Sequence, residues 1–155
     1  MRKTARFFQV KGFTLIESTL ALAILAILLG LSSPYLFGYK EKLILETERD
    51  KIVNSLKLAQ QKSIAAYKGY DYQVQFNLNP DPDEADSFTL QPENQTTSLH
   101  PKIKISSVTP LTITFGRLSG RPDSSLDLTL VSRRFKCKIS VSKEGVITTT
   151  DPERK

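Results

Sequence analysis

The chain has 155 residues with one histidine, His100, and one cysteine, Cys137. That length fits one globular domain with an appendage, the single cysteine excludes an internal disulfide and a cysteine-rich metal centre, and one histidine leaves little for zinc or acid–base chemistry. The 22 Lys and Arg against 16 Asp and Glu give a formal net charge of +6, yet Arg2, Lys3, Arg6 and Lys11 all precede the first long apolar run, and without them 18 basic side chains face 16 acidic ones. Much of the basic excess is therefore a targeting feature and not a nucleic-acid footprint.

The first predicted element is the apolar run from Phe13 to Leu31. As a helix it is long enough to cross most of a bilayer, at ~1.5 Å per residue against ~30 Å of hydrocarbon. A basic segment in front and no basic cluster directly behind it keep the N-terminus cytoplasmic. A secretory signal peptide has a shorter apolar core and a small-residue cleavage site, which Ser32, Ser33, Pro34 and Tyr35 match poorly. An uncleaved signal anchor accounts for the run but not for Glu17, because a carboxylate near hydrocarbon is costly to keep.

The stretch "KGFTLIES", Lys11 to Ser18, with its basic leader, resembles the leader junction of type IV pilins and pseudopilins. The resemblance implies that a prepilin peptidase cuts after Gly12 and methylates the new amine on Phe13. It implies too that the apolar helix anchors the subunit in the inner membrane and later forms the core of a filament with other pilin or pseudopilin subunits. Glu17 then lies about one helical turn from a cationic amine, near the positive end of the helix dipole. In a filament it can pair with the Phe13 amine of a neighbour, and because an unpaired buried charge is strongly destabilising, that pair favours one stagger between subunits. The bland alternative is an interfacial Glu17 that snorkels to water.

The helix is expected to continue beyond the membrane. Pro34 removes a backbone hydrogen bond and is expected to kink or soften it. Further on, Leu45, Ile52, Leu56, Ala59 and Ala66 recur at helical spacing, while Asp50, Lys51, Asn54, Lys57, Gln61 and Lys62 take the other side; this half should lay one stripe on a folded domain. Gly69 is a plausible stop.

After Gly69 the period becomes two. Tyr72, Val74, Phe76 and Leu78 alternate with polar residues; shorter runs follow at Phe88–Leu90, Lys102–Ile105 and Leu111–Phe115, then Leu126–Leu130, Phe135–Val141 and Val146–Thr148. The turn-rich segments "NPDPDEAD", "QPENQ", "GRLSGRPD" and "KEG" separate them. The expected fold class is α+β: a long N-terminal membrane-anchoring helix packed on a C-terminal antiparallel β domain, with one buried sheet face. The expected boundaries are a leader at 1–12, a transmembrane half-helix at 13–33, an amphipathic half-helix at 34–69 and a β domain at 70–155.

Within that β domain, "TITFGRLSGRPDSSLDLTL" and "CKISVSKEGVI", together with "LKLAQQKSIAAYKGYDYQVQF", resemble GspH/FimT-type pseudopilins. The chain lacks the C-terminal cysteine pair of many major pilins, which favours a minor component. It lacks the basic Gly-Arg tail motif of DNA-binding relatives, offering only Arg154 and Lys155 there.

The remaining candidate sites are weaker. Asp81, Asp83, Glu84 and Asp86 could offer oxygen ligands to calcium but lack the spacing and glycine of an EF-hand loop, so a solvated acidic loop is the simpler reading and no metal or other cofactor is expected. Arg133 and Arg134, with Lys136 and Lys138 alternating against the buried set, could meet nucleic-acid phosphates, or could be the wet face of a strand or a guarded edge. Cys137, between Phe135 and Ile139, reads as a small core residue. His100 has no evident partner, and Ser–Asp pairs without a histidine make no triad. Three function classes follow: a structural pilin-like subunit of a type IV pilus or type II secretion pseudopilus, a DNA-binding minor pilin of a competence pilus, and a membrane-tethered enzyme, for which no catalytic constellation is visible.

Overall fold

A computed structural model describes residues 14–81 and 83–155, with the side chains of residues 31–37 left aside. The leader at 1–12 and Phe13 lie outside the described residues. Helix α1 runs over Leu15–Ile64 for 50 residues, Pro34 included. The chain divides into two units after Phe37. In the first, the helical residues Leu15–Leu29 are exposed, among them Leu20, Leu25 and Leu29. Among the described residues no helix is long and apolar enough to cross a membrane.

In the second unit, Gly38–Lys155, the rest of α1 buries Leu45, Ile52, Leu56 and Ala59 as one stripe. Lys51, Asn54, Lys57 and Gln61 are exposed, as the spacing predicts. The helix ends earlier than expected. Ala66 leaves the stripe and takes a left-handed conformation at φ 46°, and Gly69 closes the short 3₁₀ turn that follows, Tyr67–Gly69.

Among the described residues nine strands follow: β1 Tyr72–Asn77, β2 Ser87–Gln91, β3 Gln95–Ser98, β4 Lys104–Thr109, β5 Thr112–Phe115, β6 Leu126–Val131, β7 Phe135–Val141, β8 Ile147–Thr149 and β9 Glu153–Arg154. They form two antiparallel sheets. One has the order β3-β2-β1-β5; the other has the order β4-β6-β7-β8, with β9 also on β7. The inner faces carry Tyr72, Val74, Phe76, Phe88, Leu90, Ile113 and Phe115 from the first sheet. Ile105, Leu126, Leu128, Leu130, Phe135, Cys137, Ile139 and Val141 come from the second, and both sets join the helix stripe in one core. A helix covering antiparallel strands is the α+β arrangement the alternation implies.

Two loops lock the end of α1 to both sheets. Gln60 Nε2 donates to Gly145 O at 2.9 Å and Gly120 O at 3.2 Å. Ser63 Oγ donates to Phe115 O at 3.0 Å, and Leu118 N–H donates to Ser63 O at 2.8 Å. Gly120 and Gly145 have φ of +61° and +88°, and a Cβ on either would collide with Ile64 or Gln60. Glycine is required twice over there, by conformation and by approach.

Two buried carboxylates have opposite surroundings. Asp86 is 2% exposed. Its Oδ1 accepts the Asn79 N–H at 2.8 Å and its Oδ2 the Ile105 N–H at 2.7 Å, while its carbonyl accepts the Leu99 N–H. It ties the loop after β1 to β4 of the other sheet. Glu48 is 3% exposed, on the helix stripe itself. Its Oε1 accepts Lys51 Nζ at 2.8 Å, and its Oε2 is buried with no hydrogen-bond partner among the described residues. Asp86→Ala strands two N–H donors and should lower stability by about 2–4 kcal/mol. Glu48→Leu removes a poorly compensated charge from the core and should raise stability by about 1 kcal/mol or more. Thermal melts of the full chain in detergent, followed by far-ultraviolet circular dichroism, check both; a lower Tm for Glu48→Leu would contradict the second.

Candidate functional site

Glu17 lies in the first turn of α1. Thr14 stands immediately before the helix, and its Oγ1 accepts the Glu17 N–H at 3.3 Å; its carbonyl accepts the Ser18 N–H at 3.1 Å and the Ser18 hydroxyl at 3.2 Å. Thr14 and Glu17 have the spacing of a capping box, in which the threonine satisfies a free N–H at the helix start. A carboxylate at this position is favoured by the positive end of the helix dipole. The sequence reading missed this local role, although the signal was present as Thr-x-x-Glu ahead of an apolar run. The Glu17 side chain is exposed and has no ion-pair partner among the described residues. Gly12 and Phe13, the expected processing residues, lie outside the described residues. Pro34, the expected kink, falls within α1, three residues before the division at Phe37.

The four candidate basic residues fall in two places, Lys136 and Lys138 on β7 and Arg133 and Arg134 just before it. Arg133 and Arg134 occupy a turn closed by the Ser132 N–H on Phe135 O at 2.8 Å and the Phe135 N–H on Ser132 Oγ at 3.0 Å. Lys136 is exposed opposite Glu153 of β9. Lys138 pairs with Asp127 at 3.1 Å. Asp127 also accepts the Ser140 hydroxyl, and that bond with the Lys138 ammonium holds its carboxyl below the usual carboxylate range. The guarded-edge alternative does not describe these residues, since β7 lies between β6 on one side and β8 and β9 on the other.

Of the acidic loop, Asp86 turns inward onto backbone N–H groups, while Asp81 accepts the Asp83 N–H and Lys104 Nζ reaches the carbonyls of Asp81 and Glu84. Among the described residues no three His, Cys, Asp or Glu gather as metal ligands. Cys137 is buried in the core, and that burial pushes its thiol up to about 11, away from a reactive thiolate. His100 Nδ1 accepts the Lys102 N–H at 3.1 Å within a turn.

Over residues 8–33 the chain matches the family model of the prokaryotic N-terminal methylation motif. No curated protein and no solved structure matches it. The chain thus carries the methylation motif of the type IV pilins and pseudopilins, which takes in the start of α1, and the later part of that helix packs on an antiparallel β domain. The motif implies processing by a prepilin peptidase and assembly with other pilin subunits.

Proposed function

We propose that the protein is a minor subunit of a type IV pilus or type II secretion pseudopilus, of the GspH/FimT type. The observation that carries the reading is the methylation motif at residues 8–33, which includes the start of α1 with Glu17 in its first turn. In this reading the peptidase cuts after Gly12 and methylates Phe13. The apolar helix holds the subunit in the inner membrane as a single pass with the N-terminus cytoplasmic, and the β domain lies on the far side. On assembly, Glu17 pairs with the Phe13 amine of a neighbour. The capping contact from Thr14 supports this economy: it uses the Glu17 backbone N–H and leaves the carboxylate available. The competence reading, with DNA on the β domain, is weakened by the pairing of Lys138 with Asp127.

Glycine at position 12 has no side chain and can enter a tight peptidase site as an extended residue. Gly12→Val should leave the basic leader attached, and mass spectrometry of membrane protein should find wild type beginning at a methylated Phe13. A wild-type N-terminus at Met1 in cells with active peptidase would overturn the processing step. Glu17→Leu should still be made, cleaved and held in the membrane, since it lies outside the β core. It should be scarce in sheared filaments, because losing one partner of a buried pair costs ~3–5 kcal/mol, two or more orders of magnitude at ~1.4 kcal/mol per tenfold. Equal recovery of Glu17→Leu and wild type from cells that also make the major subunit would refute the pairing.

A further inference from the structure

The cations at the beginning of the Gly38–Lys155 unit have no role in the function proposed above. Arg133 and Arg134 are the two central residues of the Ser132–Phe135 turn, and both side chains are exposed. The Arg134 N–H donates to Glu41 Oε1 at 2.9 Å, and its guanidinium lies 3.9 Å from where a Cβ on Gly38 would stand, so the turn rests against the first residues of the unit. Lys155 N–H donates to Arg134 O at 3.0 Å, and Arg154 stands opposite Phe135 on β7. Tyr39, 61% exposed, and the exposed Lys40 follow Gly38 directly. Among the described residues none of Lys40, Arg133, Arg134, Arg154 and Lys155 forms an ion pair. Of the acids beside them, Glu41 already accepts from Arg134 and Glu153 is in register with Lys136.

We propose that this collar binds the anionic phospholipid headgroups of the leaflet from which the apolar helix emerges, and so holds the folded unit against the membrane before assembly. The proposal rests on the apolar run being the membrane anchor. Three observations favour lipid. Only six residues lie between Leu31 and Gly38, a short tether of at most about 25 Å between the apolar run and the entry to the folded unit, and the headgroup zone extends roughly 5–8 Å beyond the hydrocarbon. The chemistry fits, because the forked guanidinium donors of Arg133 and Arg134 match phosphate oxygens and an exposed tyrosine such as Tyr39 suits the interface between water and hydrocarbon. Finally, Arg134 lies against Gly38 and Glu41, where the chain enters the unit, and the run of cations extends along β7 only as far as the exposed Lys136, since Lys138 is neutralised by Asp127. A nucleic-acid backbone is bound by charges spread along its track.

A basic residue close to an anionic leaflet favours contact about fivefold, and salt weakens this over a Debye length of ~8 Å at physiological strength. The test uses the full chain in lipid nanodiscs of phosphatidylcholine, or of phosphatidylcholine mixed with phosphatidylglycerol, each carrying a trace of lipid with a gadolinium headgroup. Amide relaxation is read by NMR. The amides of Arg133, Arg134 and Lys155 should relax several-fold faster in the mixed discs than in pure phosphatidylcholine. Raised salt should abolish the difference, as should the triple variant Arg133→Gln, Arg134→Gln, Lys155→Gln, whose docked population should fall on the order of a hundredfold. These side chains are exposed, so an unchanged amide spectrum elsewhere confirms an intact fold. Equal relaxation in the two discs, or relaxation no faster than at Gly120, overturns the proposal. So does a response of the same amides to added duplex DNA without one to phosphatidylglycerol, which would make the surface a nucleic-acid interface. Retention of the chain on the discs in gel filtration reports anchoring separately: a chain that leaves the discs refutes the anchor, whereas a retained chain with an indifferent collar refutes the collar alone.

Discussion

The folded unit depends on one stripe of helix serving two sheets. Leu45, Ile52, Leu56 and Ala59 are fully buried, and they close a core lined by both inner faces. The sheets are separate backbone ladders. Consecutive strands cross between them: β4 ends at Thr109 in one sheet and β5 begins at Thr112 in the other. Each buried leucine or isoleucine in the stripe contributes roughly 1.5–3 kcal/mol by leaving water, and with a core of this size there is little apolar area to replace it. The turn at 116–121 and the hairpin at 142–146 both fold back onto the end of that helix.

Polar contacts at the margins fix how the stripe meets the strands. At the C-terminal end of α1, Gln60 bonds to backbone of the β5–β6 loop and the β7–β8 hairpin, and Ser63 to the last carbonyl of β5. Lys62 adds an ion pair to Glu93 at 2.7 Å, between β2 and β3. Nearer the start, Glu41 accepts the Arg134 N–H, and Arg49 donates to Thr150 O at 3.4 Å and meets Asp151 at 3.5 Å. Apolar burial has no direction; these bonds set the helix register. Glu48 stands out against them as a charge placed in the stripe with one oxygen unmatched among the described residues.

The elements legible in the sequence were those whose side chains alternate or repeat. Tyr72, Val74 and Phe76 announced β1, and Leu126, Leu128 and Leu130 announced β6, because a half-buried strand must sort its residues by face. β3 carried no such signal: Gln95, Thr96, Thr97 and Ser98 are polar on both faces, and the strand is held by backbone pairing with β2 and a 3.0 Å hydroxyl contact between Thr89 and Thr96. β9 was hidden behind Pro152 in a charged segment that reads as a tail. The expectation of one buried sheet face became two sheets, since alternation within a strand says nothing about which neighbour it pairs with. Asp86 was sorted with a solvated acidic loop, because burial of one acid among four is set by the reach of Asn79 and Ile105 and not by composition. For the candidate site, Glu17 was visible as an anomaly of charge, whereas the Arg133–Arg134 turn lies beside Glu41, more than ninety residues earlier in the chain, a proximity that only the fold creates.

The side-chain amide of Gln60 makes a mechanical statement. Both of its contacts are to carbonyls, one on the loop after β5 and one on the hairpin after β7, so a single group on the helix is fastened to each sheet. A pull directed along α1 would slide the helix past the strands and load these two bonds together with those of Ser63 and Leu118. Bonds strained side by side share force and must fail together, whereas bonds strained in series open one at a time. The end of the helix is thus built as a shear joint, suited to a chain whose folded part is carried by the helix that leaves it.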